Sequence, residues 1–254
     1  MAEHPQDAWV FCPAGDRTLI LEFGQSIQRD IVDQVVALDS RIHIAIETGV
    51  LKGVLETIPT FRSLALVFDP LTTTPEELLA QIRALEQTEQ VQDSSVALRH
   101  WVLPVRYGAE AGPDLSSVAE LTGLDEAAVI ELHLSTQFKV YMLGFLPGFA
   151  FLGDTPKELH LPRRSEPRLR VPAGSVAIAK QLTGIYPWDS PGGWHILGNC
   201  PVPLFDSSQD SPTLFKTGDI VSFRSINAEE FQMISTSVTN MTFDRSSLQQ
   251  LASQ

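Results

Sequence analysis

Cysteine is scarce in this chain of 254 residues: there are two, Cys12 and Cys200. Two such distant thiols make neither a zinc spacing nor a disulfide framework. Long apolar runs are missing as well. The longest, Val140 to Gly153, is 14 residues and is broken by Pro147 and three glycines, too short and too interrupted to cross a bilayer. The start, MAEHPQDAWV, has no basic stretch and no apolar core of a signal peptide, so no export is expected and a cytoplasmic, soluble protein without a membrane partner is. Positive charge is short: 18 Lys and Arg against 31 Asp and Glu give a formal charge of −13, which argues against duplex nucleic acid or an anionic membrane as partner. His43, His100, His133 and His160 are scattered with no H-E-x-x-H spacing, so no metal site is expected. No P-loop, no G-x-G-x-x-G and no G-x-S-x-G element occurs, which leaves dinucleotide and serine-hydrolase readings without support.

What is present divides into unlike halves. The chain is 43% hydrophobic and 19% charged, enough to bury a core. Four of its 16 glycines fall in the first 100 residues, whereas eight glycines and seven prolines crowd between Gly144 and Gly198. Regular elements are therefore expected first and turns later. Thr18 to Phe23 reads as a strand. Ser26 can cap a helix with apolar positions Ile27, Ile31, Val32, Val35, Val36 and Leu38. Val50 to Thr57 and Ser63 to Phe68 read as strands. Thr74-Pro75-Glu76-Glu77 reads as a capping box opening a helix, and Val96 to Val102 as a last strand, while Ile42 to Ile46 is open between strand and helix end. The order β-α-β-β-α-β predicts a ferredoxin-like N-terminal domain over residues 1–95. Asp114 and Asp125 each look like caps of short helices. Beyond Lys139, short strands between Gly/Pro turns predict a β-barrel or sandwich up to residue 236, with Asn227 capping a late helix and a polar tail over 237–254.

Candidate chemistry concentrates between Gly144 and Asp206. Gly144-Phe-Leu-Pro-Gly-Phe149 puts Phe145 and Phe149 on a sharply bent loop, either in a cleft or packed in the core. Lys157 to Lys180 holds six basic and two acidic residues, a local +4 that leaves −17 to the rest. Arginines there match carboxylates and phosphates in bidentate geometry; the alternative is a solvated strand edge kept from pairing by its charge. Small residues at Ala173, Gly174 and Ser175 can let a ligand approach backbone N–H groups. Ser190-Pro-Gly-Gly-Trp194-His195 can present Trp194 and a basic His195, or simply pack them beside a tight turn. Cys200 has no supporting motif and reads as a small buried residue.

Seven stretches occur together in a familiar order: Gly144 to Phe149, Pro162-Arg-Arg164, Pro167-Arg168, Val171-Pro-Ala-Gly-Ser175, Thr183-Gly-Ile-Tyr-Pro187, Ser190-Pro-Gly-Gly-Trp194 and Pro203-Leu-Phe-Asp206. With Gly15-Asp16, Glu22-Phe-Gly24, Arg62-Ser-Leu64 and Asp69-Pro70 upstream, the chain resembles the allophanate hydrolase subunit 1 family over roughly residues 9 to 226. That family includes the B-type subunit of 5-oxoprolinase and the Kip inhibitor of a histidine kinase. The resemblance implies an α+β chain in which a ferredoxin-like domain precedes a cyclophilin-like β-barrel, here 1–95 and 96–236. It implies work inside a heteromeric complex with a larger subunit 2-like partner and a third 5-oxoprolinase subunit, opening a small amide substrate to glutamate with ATP, the chain being inactive alone. Docking on a histidine kinase, or carboxyl transfer to another urea-like substrate, are the alternatives it carries. By the same resemblance Arg163, Arg164 and Arg168 are expected to bind carboxylate or phosphate. Phe145, Pro147, Phe149, Tyr186 and Trp194 would wall the cleft, Gly174, Ser175, Thr183 and Ser190 would offer hydrogen bonds, and His195 would be the general base. Two stretches depart from the family pattern. Lys180-Gln-Leu-Thr-Gly184 stands where Gly-Gln-Gln-Thr-Gly is expected, and Gly198-Asn-Cys-Pro201 where Gly-Arg-Thr-Pro is. The second removes a charge that Lys180 is the candidate to restore.

Overall fold

The computed structural model describes residues 8–87 and 99–250. The chain divides into two compact units, Met1–Ala97 and Leu98–Gln254.

The first unit contains β1 (Val10–Pro13), β2 (Thr18–Glu22), α1 (Arg29–Glu47), β3 (Val54–Pro59), β4 (Ser63–Phe68) and α2 (Pro75–Gln87). Its antiparallel sheet runs in the order β1-β2-β4-β3. Alternation in β2 and β4 sends Leu19, Leu21, Leu64, Leu66 and Phe68 to one face, where they form one core with Val35, Leu38 and Ile42 of α1 and Leu78 and Ile82 of α2. The capping box forms as read: Glu77 N donates to Thr74 Oγ1 and Thr74 N to Glu77 Oε2. Ile42 to Ile46 is helix. Ser26 does not cap; α1 starts at Arg29, and Gln28 in the cap position makes no side-chain bond.

The expected β-α-β-β-α-β order is not the one observed. The strand beside β2 is β1, which precedes it and pairs from Val10↔Glu22 to Pro13↔Leu19. The apolar stretch after α2 belongs to the second unit, as β5 (His100–Tyr107); residues 96–98 of the expected strand lie outside the described residues. Trp101, Leu103 and Val105 of β5 point into the other core.

The second unit continues with α3 (Leu115–Thr122), α4 (Glu126–Leu134), β6 (Phe138–Leu143), β7 (Ala150–Gly153), β8 (Arg168–Val171), β9 (Ser175–Ala179), β10 (Leu182–Ile185), β11 (Ser190–Gly192), β12 (His195–Asn199), β13 (Ile220–Ser225), α5 (Ala228–Thr239) and β14 (Gln249–Gln250). Of the two β architectures left open, the structure is the barrel: β12-β9-β10-β7-β6-β13-β5 closes by pairing β5 to β12, seven strands in all. Strand β13 lies parallel to β5 along its whole length. Strands β8 and β11 form a separate two-stranded ribbon. Gly153 has no room for a side chain, because the ring of Tyr141 lies against the place where its Cβ would be. The segment expected as a polar tail is largely structured. It completes α5, buries Leu248 in the barrel core, and pairs Gln249 with Trp101; residues 251–254 lie outside the described residues.

Helix α4 is fastened to the barrel by a fully buried histidine. Thr183 Oγ1 donates to Ala177 O at 3.1 Å, so toward His133 Nε2, at 2.9 Å, it must accept. Nε2 therefore carries the proton, and Nδ1 accepts from the Tyr107 hydroxyl at 2.7 Å. The ring stacks on Phe223 at 4.6 Å. Burial lowers its pKa from 6.5 to about 3. The neutral ring thus contributes stability that is complete above pH 6.5 and is lost as pH falls, because the unfolded chain takes up the proton first. At about 1.4 kcal/mol per pH unit, unfolding at pH 4.5 should be roughly 2–3 kcal/mol easier than at pH 7 from this group. Urea melts across that range would show it. A His133→Phe variant with the same slope as wild type would refute the assignment.

Candidate functional site

The motifs that stood apart in sequence lie side by side on the second unit. The segment Pro162 to Arg168 runs along Gly192 to His195. His195 Nε2 donates to Pro162 O at 2.9 Å, Arg164 N donates to Gly193 O at 2.8 Å, and Arg168 faces Gly192 in the β8–β11 ribbon. The Val171–Ser175 turn is knitted to the next motif: Gly174 N donates to Tyr186 O and Tyr186 N to Ser175 O. Gly174 has φ +79° and a Cβ there would collide with Cys200 O, so only glycine permits this approach. The Gly144–Phe149 loop is closed by Phe149 N to Leu146 O, and Trp188 Nε1 reaches Pro147 O at 3.0 Å.

At the centre of the arginine cluster is Asp114. It stands before α3 where a cap was expected, yet its side chain makes no cap bond. It accepts from Arg164 Nη1 at 2.8 Å, from Arg168 Nη1 and Nη2 at 2.8 and 2.7 Å, and from Ile196 N at 2.8 Å. Burial pushes its pKa up, but the Arg168 bond, the Ile196 N–H and the charges of Arg168 and Arg164 outweigh this and hold the carboxyl below its ordinary range. Both outer nitrogens of Arg168 and Nη1 of Arg164 are thereby committed. Arg163, exposed, makes no ion pair among the described residues.

Beside the arginines is an aromatic wall. Phe149 meets Tyr186 and Trp194 edge to face at 5.3 and 5.8 Å, and Phe151 meets Trp194 at 6.0 Å. Burial raises the Tyr186 hydroxyl pKa, opposed by the positive charge of Arg163, a bond from the Trp194 N–H and the charge of Arg168. Three polar atoms here are buried with no hydrogen-bond partner: Arg164 Nε, Ser190 Oγ and His195 Nδ1. Groups of this kind are rare in folded proteins. A forked cation, a phenol and a buried hydroxyl beside an aromatic wall suit a small planar group that carries an anion.

The sequence pattern of the carboxyltransferase domain, subdomains C and D, matches residues 9–215. The chain belongs to this family. Among curated relatives, the B-type 5-oxoprolinase subunit of Bacillus subtilis (strain 168) is 37% identical over 226 residues, 85% of this chain and 92% of its own length. That of Escherichia coli O157:H7 is 43% identical over 175 residues, 67% and 78%. The crystal structure of TTHA0988 superposes with a TM-score of 0.72 at 37% identity; the match covers 84% of this chain but only 40% of that one.

In this carboxyltransferase-family chain, the expected residues part into two groups. Arg163, Arg164, Arg168, Phe149, Tyr186, Trp194 and Ser190 lie in the neighbourhood just described. The others do other work. The Thr183 hydroxyl is spent on His133 and Ala177. Gly174 and Ser175 use their backbone groups to hold Tyr186. Phe145, though exposed, meets Phe149 of the wall edge to face at 5.6 Å, and Pro147 is exposed beside it. His195 gives Nε2–H to a carbonyl, so any basic role falls to the buried Nδ1. Lys180 does not stand in for a lost charge at Asn199. It lies in the β9–β10 turn, whereas Asn199 pairs with Ser175 at the other end of β9, about 15 Å away along the strand. Burial raises the Cys200 thiol to about 12, which excludes a thiolate nucleophile at neutral pH. Sequence reading missed Asp114 and Phe151. Phe151 shares the strand face of Phe149, and its period of two was the available signal. Among the described residues no group of three or more His, Cys, Asp or Glu can hold a metal, and no helix is long and apolar enough to cross a membrane.

Proposed function

We propose that the chain is the B-type subunit of an ATP-dependent 5-oxoprolinase, acting with a larger subunit 2-like protein and a third subunit, and inactive alone. The observation that carries this is the identity of 37% and 43% to two proteins named as that 5-oxoprolinase subunit, the first matched over 92% of its length. The geometry is consistent with it. 5-Oxoproline is a small planar lactam bearing one carboxylate. Arg163 pairs with that carboxylate in a forked contact while Phe149, Tyr186 and Trp194 flank the ring and exclude water. ATP supplies the activation that a stable amide requires. Ser190 Oγ and Arg164 Nε, both buried and unpartnered, donate in this reading to oxygen that gains negative charge as the amide opens. His195 Nδ1 is the basic atom of the neighbourhood.

The test is an assay of glutamate and ADP release from 5-oxoproline and ATP, with this chain alone and with its partner subunits. Coupled turnover in the complex and none from the chain alone is the expected result. A stable, verified complex that releases neither product overturns the proposal.

A further inference from the structure

Tyr186 is fixed at every group except one. Its backbone N–H donates to Ser175 O at 2.9 Å, and its carbonyl accepts from Gly174 N at 2.7 Å. Phe149 and Trp194 meet its ring edge to face at 5.3 and 6.5 Å, and the residue is 2% exposed. A side chain at Gly192 would collide with the hydroxyl, so glycine there lets the phenol reach the ribbon backbone. The hydroxyl oxygen accepts from the Trp194 N–H. Among the described residues nothing accepts its proton. A phenol both donates and accepts; here the acceptor role is filled and the donor role is open. Burial keeps the proton on the oxygen at neutral pH, and the positive charges of Arg163 and Arg168 act on the same atom, where they would favour a transient phenolate. A locked, protonated group beside cations is suited to give a proton and take it back.

Substrate chemistry says where that proton goes. In 5-oxoproline the lactam nitrogen and the carboxyl group are bonded to one carbon, which puts the nitrogen about 2.5 Å from the carboxyl carbon. A substrate whose carboxylate rests on Arg163 therefore brings its nitrogen toward the hydroxyl that the charge of Arg163 also reaches. We propose that the Tyr186 hydroxyl is the general acid of ring opening, protonating the lactam nitrogen as it leaves. This rests on the 5-oxoprolinase reading. His195 Nδ1 takes a proton from the water whose oxygen bonds to the amide carbon. The C–N bond then breaks and its electron pair stays on nitrogen. Nitrogen takes the Tyr186 proton and becomes the amine of glutamate. The imidazolium proton of His195 returns to the phenolate through solvent, so both groups are restored and the sum at the C–N bond is the addition of water.

The experiment uses Tyr186→Phe in the enzyme assembled with its partner subunits. The variant keeps the ring and removes the hydroxyl alone. Its kcat for glutamate release from 5-oxoproline and ATP should fall about 100- to 1,000-fold, with KM for 5-oxoproline unchanged. Calorimetry on the same assembly should find 5-oxoproline bound as tightly as by wild type, which shows that the site is still built. A loss carried by KM or by Kd makes the hydroxyl a binding group and overturns the assignment. A kcat equal to that of wild type also overturns it, and leaves the 5-oxoprolinase reading standing. If the wild-type assembly releases no glutamate, that reading fails and the assignment falls with it.

Discussion

Asp114→Ala is expected to destabilise the second unit by about 3–5 kcal/mol, the usual cost of breaking a buried ion pair by removing one partner. The carboxylate is 4% exposed and answers two guanidiniums and the Ile196 N–H at once. Its loss leaves Arg164 and Arg168 side by side, mostly out of water, with like charges and no counterion. It also frees the segment 162–168 from the start of α3, so the wall beside Tyr186 should loosen. Asp114→Asn keeps the volume and one acceptor, and should lose less than the alanine variant. Urea unfolding at pH 7 measures both. A loss under about 1 kcal/mol for the alanine would mean that water already serves the arginines. The pH signature differs from that of His133. Asp114 has its pKa lowered from 3.8, so its contribution is intact above that value and disappears as pH falls through the lowered folded pKa. His133 acts from pH 6.5 downward. The two variants should therefore flatten separate parts of the acid limb.

Arg163→Gln in the assembled enzyme should lower kcat/KM for 5-oxoproline by about 10- to 150-fold, from the 1.5–3 kcal/mol of a charge-assisted bond. The side chain is exposed and makes no ion pair among the described residues, so its removal should leave the melting temperature in place. The loss should fall mainly on KM if the arginine holds the carboxylate equally in ground and transition states. Arg163→Lys should recover only part, because an ammonium offers a point charge in place of a planar fork. An unchanged kcat/KM in Arg163→Gln would move the anion contact to another residue or to the partner.

Much of the fold could be read from pattern because single elements declare themselves locally. The capping box at Thr74 and Glu77, the alternation of β4 and the Asn227 cap all formed. What failed was assignment of strands to sheets. The apolar run Trp101–Val105 within His100–Tyr107 reads the same whichever core it faces, and only its pairing to β12 and β13 shows that it belongs to the barrel. β1 escaped notice because its four residues end in a proline and carry little alternation. The candidate site follows the same rule. Its arginines and aromatics were visible as clusters along the chain. Asp114 was not, because an aspartate before an apolar helix looks like a cap and its partners lie about 50 residues away in sequence. Thr183 was misplaced for want of the histidine that claims it: nothing local links residue 183 to residue 133.

The parallel pairing of β5 with β13 has a consequence for how the protein is made. About 120 residues separate His100 from its register partner Ile220. On a ribosome, β5 emerges long before the strands that cover both its edges, while the first unit, whose described elements end at Gln87, is already complete in the nascent chain. During that interval the growing barrel exposes an apolar edge, and its closure awaits synthesis of β13. Slow synthesis between β5 and β13 prolongs that exposure, so yield in recombinant expression should depend on temperature and chaperone supply more than the stability of the finished barrel suggests.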